Sequence, residues 1–258
     1  MRLCANLSMM FNEVGFLDRF DAAAKAGFKG VEFLFPYDHD AREIRARLDG
    51  AGLQQVLFNG PPGDWAQGER GTASLPGRQA EFRDGIKRAL EYASALGNKL
   101  VHVMAGIPGK DVKPVTAAAI YAANLAWAAE QAHAAGIKLV IEPINHRDMP
   151  GFHLNTMAQG AAVIEAIGAD RVGLQFDAYH CQVTEGDVTK RLEAFMPVIA
   201  HIQIADVPAR NEPGTGEIGW EFVFKRIDSL GYDGWVGCEY RPAGETKAGL
   251  AWRERYGV

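Results

Sequence analysis

Cysteine is scarce in this chain of 258 residues: Cys4, Cys181 and Cys238 are the three present. The count is odd and no Cys-x-x-Cys spacing occurs. That argues against a disulfide framework or a thiolate zinc site and points to a reducing, cytoplasmic setting. Basic charge is short as well. The 27 Lys and Arg residues stand against 32 Asp and Glu, a net of −5, the wrong sign for a protein held to phosphates by counterion release. Nucleic acid is therefore not an expected partner. No run approaches the roughly 18 consecutive apolar residues of a bilayer-spanning helix, so no membrane partner is expected. In residues 1–16, MRLCANLSMMFNEVGF, the polar Asn6, Ser8, Asn12 and Glu13 interrupt what a secretory leader would keep apolar. With 48% hydrophobic and 23% charged residues, collagen-like and disordered classes are excluded, and the chain can build a sizeable core.

What is present is an alternation. Eight short β-rich runs begin at Leu3, Gly30, Gln54, Lys99, Lys138, Arg171, Ile199 and Gly234. Most are near-continuous apolar stretches that end in a polar residue, the pattern of parallel strands buried on both faces. Between them lie amphipathic helical stretches such as 16–26, 82–96, 116–135 and 222–230. Ala-Gly or Leu-Gly pairs at Gly27, Gly52, Gly97, Gly136 and Gly231 sit where helices should end. Eight units in this length is about 32 residues each, which matches a (β/α)8 TIM barrel. The predicted fold is a single-domain α/β barrel over residues 1–258. A doubly wound sheet is the alternative, but no Gly-x-Gly-x-x-Gly follows the first strand.

In such a barrel the strand C-termini converge on one mouth. They carry Glu142 (VIEPIN), Asp177 (LQFD), Gln203 (HIQIAD) and Glu239 (GCEY). Ionised side chains late in apolar strands are costly unless paired or metal-bound. Three carboxylates and one amide are hard oxygen donors suited to Mg2+ or Mn2+. Any one acid in such a position is equally well a helix N-cap or an ion-pair partner. His180, three residues after Asp177, is placed to donate to a substrate oxygen, or is a cap. His102 sits mid-strand and could line the mouth, whereas His201 reads as a satisfied buried histidine. Arg210, in the Gly- and Pro-rich loop after the seventh strand, could hold a substrate carboxylate bidentately, or face solvent. The stretch 60–78, GPPGDWAQGERGTASLPGR, is long and aperiodic, as lids are. Trp65 and Arg70 give it an apolar and a cationic group to lay over a ligand.

These motifs together (LFNGPPGDWAQGERG, VIEPIN, LQFDAYH, HIQIAD followed by EPGTGEI, and GCEY) resemble the hydroxypyruvate isomerase family, within the xylose-isomerase-like barrels. That group of barrels also includes tagatose and psicose 3-epimerases and endonuclease IV. The resemblance spans nearly the whole chain. It implies one divalent metal on Glu142, Asp177, Gln203 and Glu239, with Glu142 and Glu239 also moving protons. It further implies interconversion of hydroxypyruvate and 2-hydroxy-3-oxopropanoate through an enediolate, with His180 on a substrate oxygen and Arg210 or a basic group of the lid on the substrate carboxylate, and a homodimer is the family expectation. The 3-epimerases carry histidine where Gln203 stands, which puts a preference for a softer metal in doubt. Arg147 and Asp148 also match a family stretch. An isomerase of 2-oxo-tetronate or an epimerase of a small ketose would use the same site. A DNA phosphodiesterase would need a histidine-rich zinc cluster and a basic surface, against seven histidines and the net negative charge here. A barrel that only binds a metabolite would have no use for both glutamates.

If residues 60–78 cover the substrate, Trp65→Ala is expected to raise KM or lower kcat; steady-state kinetics that leave both unchanged remove the lid.

Overall fold

The computed structural model describes all 258 residues. Its strands are β1 (Arg2–Asn6), β2 (Gly30–Phe33), β3 (Gln54–Asn59), β4 (Leu100–His102), β5 (Lys138–Ile141), β6 (Val172–Asp177), β7 (Ile199–Gln203) and β8 (Trp235–Cys238). All are parallel, each pairs with the next, and β8 pairs with β1 to close a barrel. The helices are α1 (Arg19–Lys25), α2 (Ala41–Ala51), α3 (Gln79–Leu96), α4 (Pro114–Ala134), α5 (Met157–Ile167), α6 (Ala178–Thr184), α7 (Val188–Phe195), α8 (Trp220–Ser229), α9 (Thr246–Gly249) and α10 (Trp252–Tyr256). The predicted (β/α)8 architecture is therefore the observed one. No helix is long and apolar enough to cross a membrane, and the three cysteines are free and buried.

Local chemistry explains the elements. Every residue of β6 is buried, as a parallel strand covered on both faces requires. In α3, Phe82, Ile86, Ala89, Ala93 and Leu96 form the inward stripe. Asp40 caps α2 through its side chain, and Thr156 with Gln159 forms a capping box on α5. Gly52 ends α2 at φ +63°, the left-handed conformation that its Ala-Gly pair predicts. The helical stretch 16–26 differs from expectation: it divides into a 3-10 turn, Phe16–Asp18, followed by α1.

The apolar runs outlast the hydrogen-bonded ladder. β5 stops at Ile141, two residues before Pro143, whose ring nitrogen has no proton to donate. β8 stops at Cys238. Glu142 and Glu239 thus lie one residue past the ladder, while Asp177 and Gln203 are its last residues on β6 and β7.

Two loops on this face are pinned. In 60–78, Ser74 N–H donates to Ala105 O (2.9 Å) and Asn124 Nδ2 donates to Ala73 O (2.8 Å), so its second half is packed on the continuation of β4. The loop after β7 is organised by Asp206, whose carboxylate accepts from the backbone N–H groups of Val207, Gly214, Gly216 and Ile218. Arg210 lies within it at φ +57°, uncommon for a side chain of its size. Its backbone is held on both sides, by Arg210 N to Asp206 O (2.9 Å) and Arg241 N to Arg210 O (2.8 Å).

Inside the barrel, Gly237 of β8 leaves room for the side chain of Glu32 from β2. A Cβ on Gly237 would lie 2.4 Å from Glu32 Oε2, and that carboxylate cannot swing aside because His201, Gln203 and Asn6 hold it. Gly237→Ala is expected to cost about 1–3 kcal/mol by overpacking. Thermal unfolding should show a clearly lower Tm, and an unchanged Tm would mean that the interior is looser than this close approach requires.

Candidate active site

Glu142, Asp177, Gln203 and Glu239 converge at the barrel mouth, and all four are buried. One Nη2 of Arg210 donates both to Asp177 Oδ2 (3.2 Å) and to Glu239 Oε2. The guanidinium, itself 9% exposed, lies 4.9 Å from the Tyr179 ring centroid. Asp177 serves two purposes. Its Oδ1 caps α6 by accepting from Tyr179 N (2.7 Å) and His180 N (3.3 Å), while Oδ2 faces the cluster. The N-cap reading of this residue therefore holds, and its second oxygen is left to the cluster. Glu142 Oε1 is buried without a hydrogen-bond partner.

Burial dominates the electrostatics. It raises the Glu142 carboxyl well above the usual range, with Glu239 and Asp177 adding repulsion. Burial also pushes Glu239 up to about 8, although Arg210 pulls the other way. Asp177 is raised for the same reason, again opposed by Arg210. For Arg210, burial acts to lower the pKa, but the Glu239, Asp177 and Glu142 carboxylates outweigh it and the net shift is upward.

The two imidazoles at the mouth are set in opposite tautomers. Asn145 Oδ1 accepts from Asp148 N (2.8 Å), which turns its Nδ2 toward His180 Nδ1 at 2.6 Å. His180 Nδ1 is therefore the acceptor, and Nε2 carries the proton. That Nε2–H lies 3.8 Å from Glu142 Oε1 and 3.7 Å from Asp177 Oδ2. Glu142, Asp177 and His180 are close enough to form a metal triad, but a protonated Nε2 is a donor and not a ligand. His102 is the reverse case: Nδ1 donates to Asn59 Oδ1 (3.2 Å), leaving Nε2 as a bare acceptor 3.8 Å from Glu142 Oε2. Burial lowers the pKa of both rings, that of His102 to about 3 and that of His180 well below the ordinary histidine value, with Arg210 contributing in the latter case. Both are neutral.

The structure thus brings together Glu142, Asp177, Gln203, Glu239, His102, His180 and Arg210. Trp65 and Arg70 form a unit of their own. The Arg70 guanidinium stacks 3.8 Å from the Trp65 ring centroid and donates to the Trp65 and Glu69 carbonyls, and Trp65 rests on Phe35. Neither hydrogen-bonds to the carboxylate cluster. Arg147 and Asp148 sit behind His180, where both bond the Tyr179 hydroxyl. Sequence reading missed Glu32, Asn6, Gln175 and Asn145. Glu32 carries the same signal as the four strand-end residues, a charge inside the apolar run GVEFLF, and Asn145 ends the motif VIEPIN.

The donor chemistry fits a divalent cation. Three carboxylates face one guanidinium, with both neighbouring imidazoles neutral, so full ionisation would leave surplus negative charge in a dry site. An oxygen-binding cation held here would offset that charge and displace the protons which burial otherwise retains.

A family model described as xylose isomerase-like TIM barrel matches residues 20–256. A 2-oxo-tetronate isomerase of Cupriavidus necator is 56% identical over 99% of this chain and 98% of its own length. A hydroxypyruvate isomerase of Escherichia coli is 47% identical over 99% of each chain. The chain belongs to the hydroxypyruvate isomerase family of xylose isomerase-like barrels. As a member of this family it is an isomerase. A crystal structure from Brucella melitensis described as an AP endonuclease, family 2, is 46% identical and superposes with a TM-score of 0.96 over 99% of this chain and 98% of that one. At the mouth of the present family member the imidazoles are His102 and His180, since His201 faces Glu32 at 2.7 Å.

Because Glu239 is raised from the ordinary ~4.3 to about 8, the folded state holds a proton that the unfolded state has already released between those values. Stability conferred by that proton is complete below the lower value and is lost as pH rises through the upper one. In chelator, Tm is expected to fall as pH is raised across this window, and Glu239→Gln is expected to flatten the slope. An unaltered slope in the variant would assign the loss to another group.

Proposed function

We propose that the chain isomerises a small 2-oxo acid bearing a hydroxyl on the adjacent carbon, moving a proton between those two carbons. The observation that carries this reading is the pair of buried glutamates with raised pKa, Glu142 and Glu239, at a mouth where a fixed Nε2–H donor on His180 lies 3.8 Å from Glu142. A carbon acid beside a carbonyl ionises slowly unless the charge developing on oxygen is stabilised. Glu142 or Glu239, as carboxylate, takes the proton from the hydroxyl-bearing carbon, and the freed electron pair forms the carbon–carbon double bond of an enediolate. The other glutamate, as acid, returns a proton to the former carbonyl carbon, while the hydroxyl proton passes to the former carbonyl oxygen, which becomes the new hydroxyl as the old one becomes the carbonyl. No atom is gained or lost overall.

His180 Nε2–H donates to a substrate oxygen. Arg210 orients the substrate carboxylate, and its Nε is a buried donor with no partner in the protein. Held by Glu142, Asp177, Gln203 and Glu239, Mg2+ or Mn2+ would stabilise the negative charge that develops on the substrate oxygens. Trp65 and Arg70 cover the bound substrate from the loop after β3.

The motifs alone put hydroxypyruvate first and 2-oxo-tetronate second. The relative named for 2-oxo-tetronate, at 56% identity against 47% for the one named for hydroxypyruvate, supports the proposal that 2-oxo-tetronate is the preferred substrate. The three free, buried cysteines suit a reducing cytoplasm. The Brucella structure, described as an AP endonuclease, raises phosphodiester cleavage as a second reading; the net charge of −5 and the paucity of imidazoles disfavour it.

Purified protein loaded with Mg2+ or Mn2+ and offered both acids in D2O is expected to exchange and isomerise them, with the larger kcat/KM for 2-oxo-tetronate, and to leave abasic-site DNA intact. Glu142→Gln and Glu239→Gln should each lower kcat by roughly two orders of magnitude or more and suppress deuterium incorporation. Near-normal exchange in either variant rules out the two-glutamate route.

A further inference from the structure

Beneath the mouth lies a fourth buried carboxylate that the proposed reaction does not use. Glu32 is 1% exposed and reaches from β2 across the space left by Gly237. Its Oε2 meets His201 Nε2 at 2.7 Å, and its Oε1 accepts from Gln203 Nε2 (2.8 Å) and Asn6 Nδ2 (3.0 Å). The same Asn6 Nδ2 lies 3.3 Å from Glu239 Oε1. One carboxylate therefore grips Gln203 directly and is linked to Glu239 through the amide of Asn6.

The consequence for Gln203 is directional. A carboxylate only accepts, so the amide must turn its NH2 end to Glu32. That leaves Oε1 as the free end of Gln203, steadied by Gln175 Nε2 at 2.6 Å, with a second lone pair available to a cation. Without Glu32, Gln203 can rotate its amide and present N–H, which no cation binds. Asn6 is held in turn: its Oδ1 accepts from Ser8 N (3.1 Å), which keeps its NH2 aimed at the two glutamates.

We propose that Glu32, anchored by His201, is a positioning residue for the metal site, setting the oxygen of Gln203 and the carboxylate of Glu239 for a divalent cation. This rests on the reading that Gln203 and Glu239 are ligands. It assigns purpose to a pairing that costs desolvation and that an apolar core could have omitted. Partners in this position typically change metal affinity or activity about 10- to 100-fold when altered.

The test is Mn2+ titration of chelator-treated protein followed by electron paramagnetic resonance, with circular dichroism to check the fold, on wild type, Glu32→Gln, Asn6→Ser and Glu239→Gln. Glu32→Gln is expected to weaken Mn2+ binding by about tenfold or more and to broaden the bound-Mn2+ spectrum. Asn6→Ser, which leaves the Glu32–His201 contact intact, should give a smaller loss. A folded Glu32→Gln protein with wild-type affinity and spectrum overturns the proposal, and where that variant does not fold, wild-type behaviour of Asn6→Ser does so. Failure of wild type to bind Mn2+, or unchanged binding by Glu239→Gln, overturns instead the ligand assignment beneath it.

Discussion

Carboxylates crowded into a dry barrel mouth set the terms for the rest of this molecule. Glu142, Asp177 and Glu239 are withdrawn from water and face one another across Arg210. In water such repulsion would be screened, but in a closed interior each added charge is costly. The protein answers with a guanidinium, with neutral imidazoles, and with retained protons. In the proposed reaction each answer has a use: a proton held near neutrality is available for delivery, and a cluster short of positive charge favours a cation.

Surrounding structure maintains this arrangement. Asp206 gathers four backbone N–H groups so that the loop after β7 carries Arg210 inward in a left-handed conformation. Non-glycine residues in such conformations persist where neighbouring contacts determine them, often at functional sites. Asn145 sets the tautomer of His180, and Asn59 sets that of His102. Beneath, Glu32 and His201 fill the interior between β2 and β7. An apolar filling would offer no acceptor to the amide of Gln203, which here donates to Glu32.

Much of the site was legible in the linear pattern because polar residues at the ends of apolar strands are conspicuous. Glu142, Asp177, Gln203 and Glu239 stood out this way, and strand polarity placed them at one mouth. Glu32 was equally conspicuous in GVEFLF, yet it lies within its run, and its value depends on a gap at Gly237 that no local pattern announces. The expectation for Arg210 addressed its charge and not its direction. Its side chain turns onto Glu239 and Asp177 because its loop is folded back by Asp206. Trp65 and Arg70 stack on one another, a local pairing that neither residue's type alone specifies.

By itself the sequence determined the eightfold alternation, the mouth at which the polar strand ends gather and the oxygen-rich character of their side chains. These follow from short-range rules: strand period, helix period and the cost of a charge within an apolar run. Tertiary structure alone decided the partners: Arg210 with carboxylates 29 and 33 residues away, and Glu32 with a histidine 169 residues away. Only closure of the barrel brings such groups within hydrogen-bonding distance, and the burial it imposes shifts their protons.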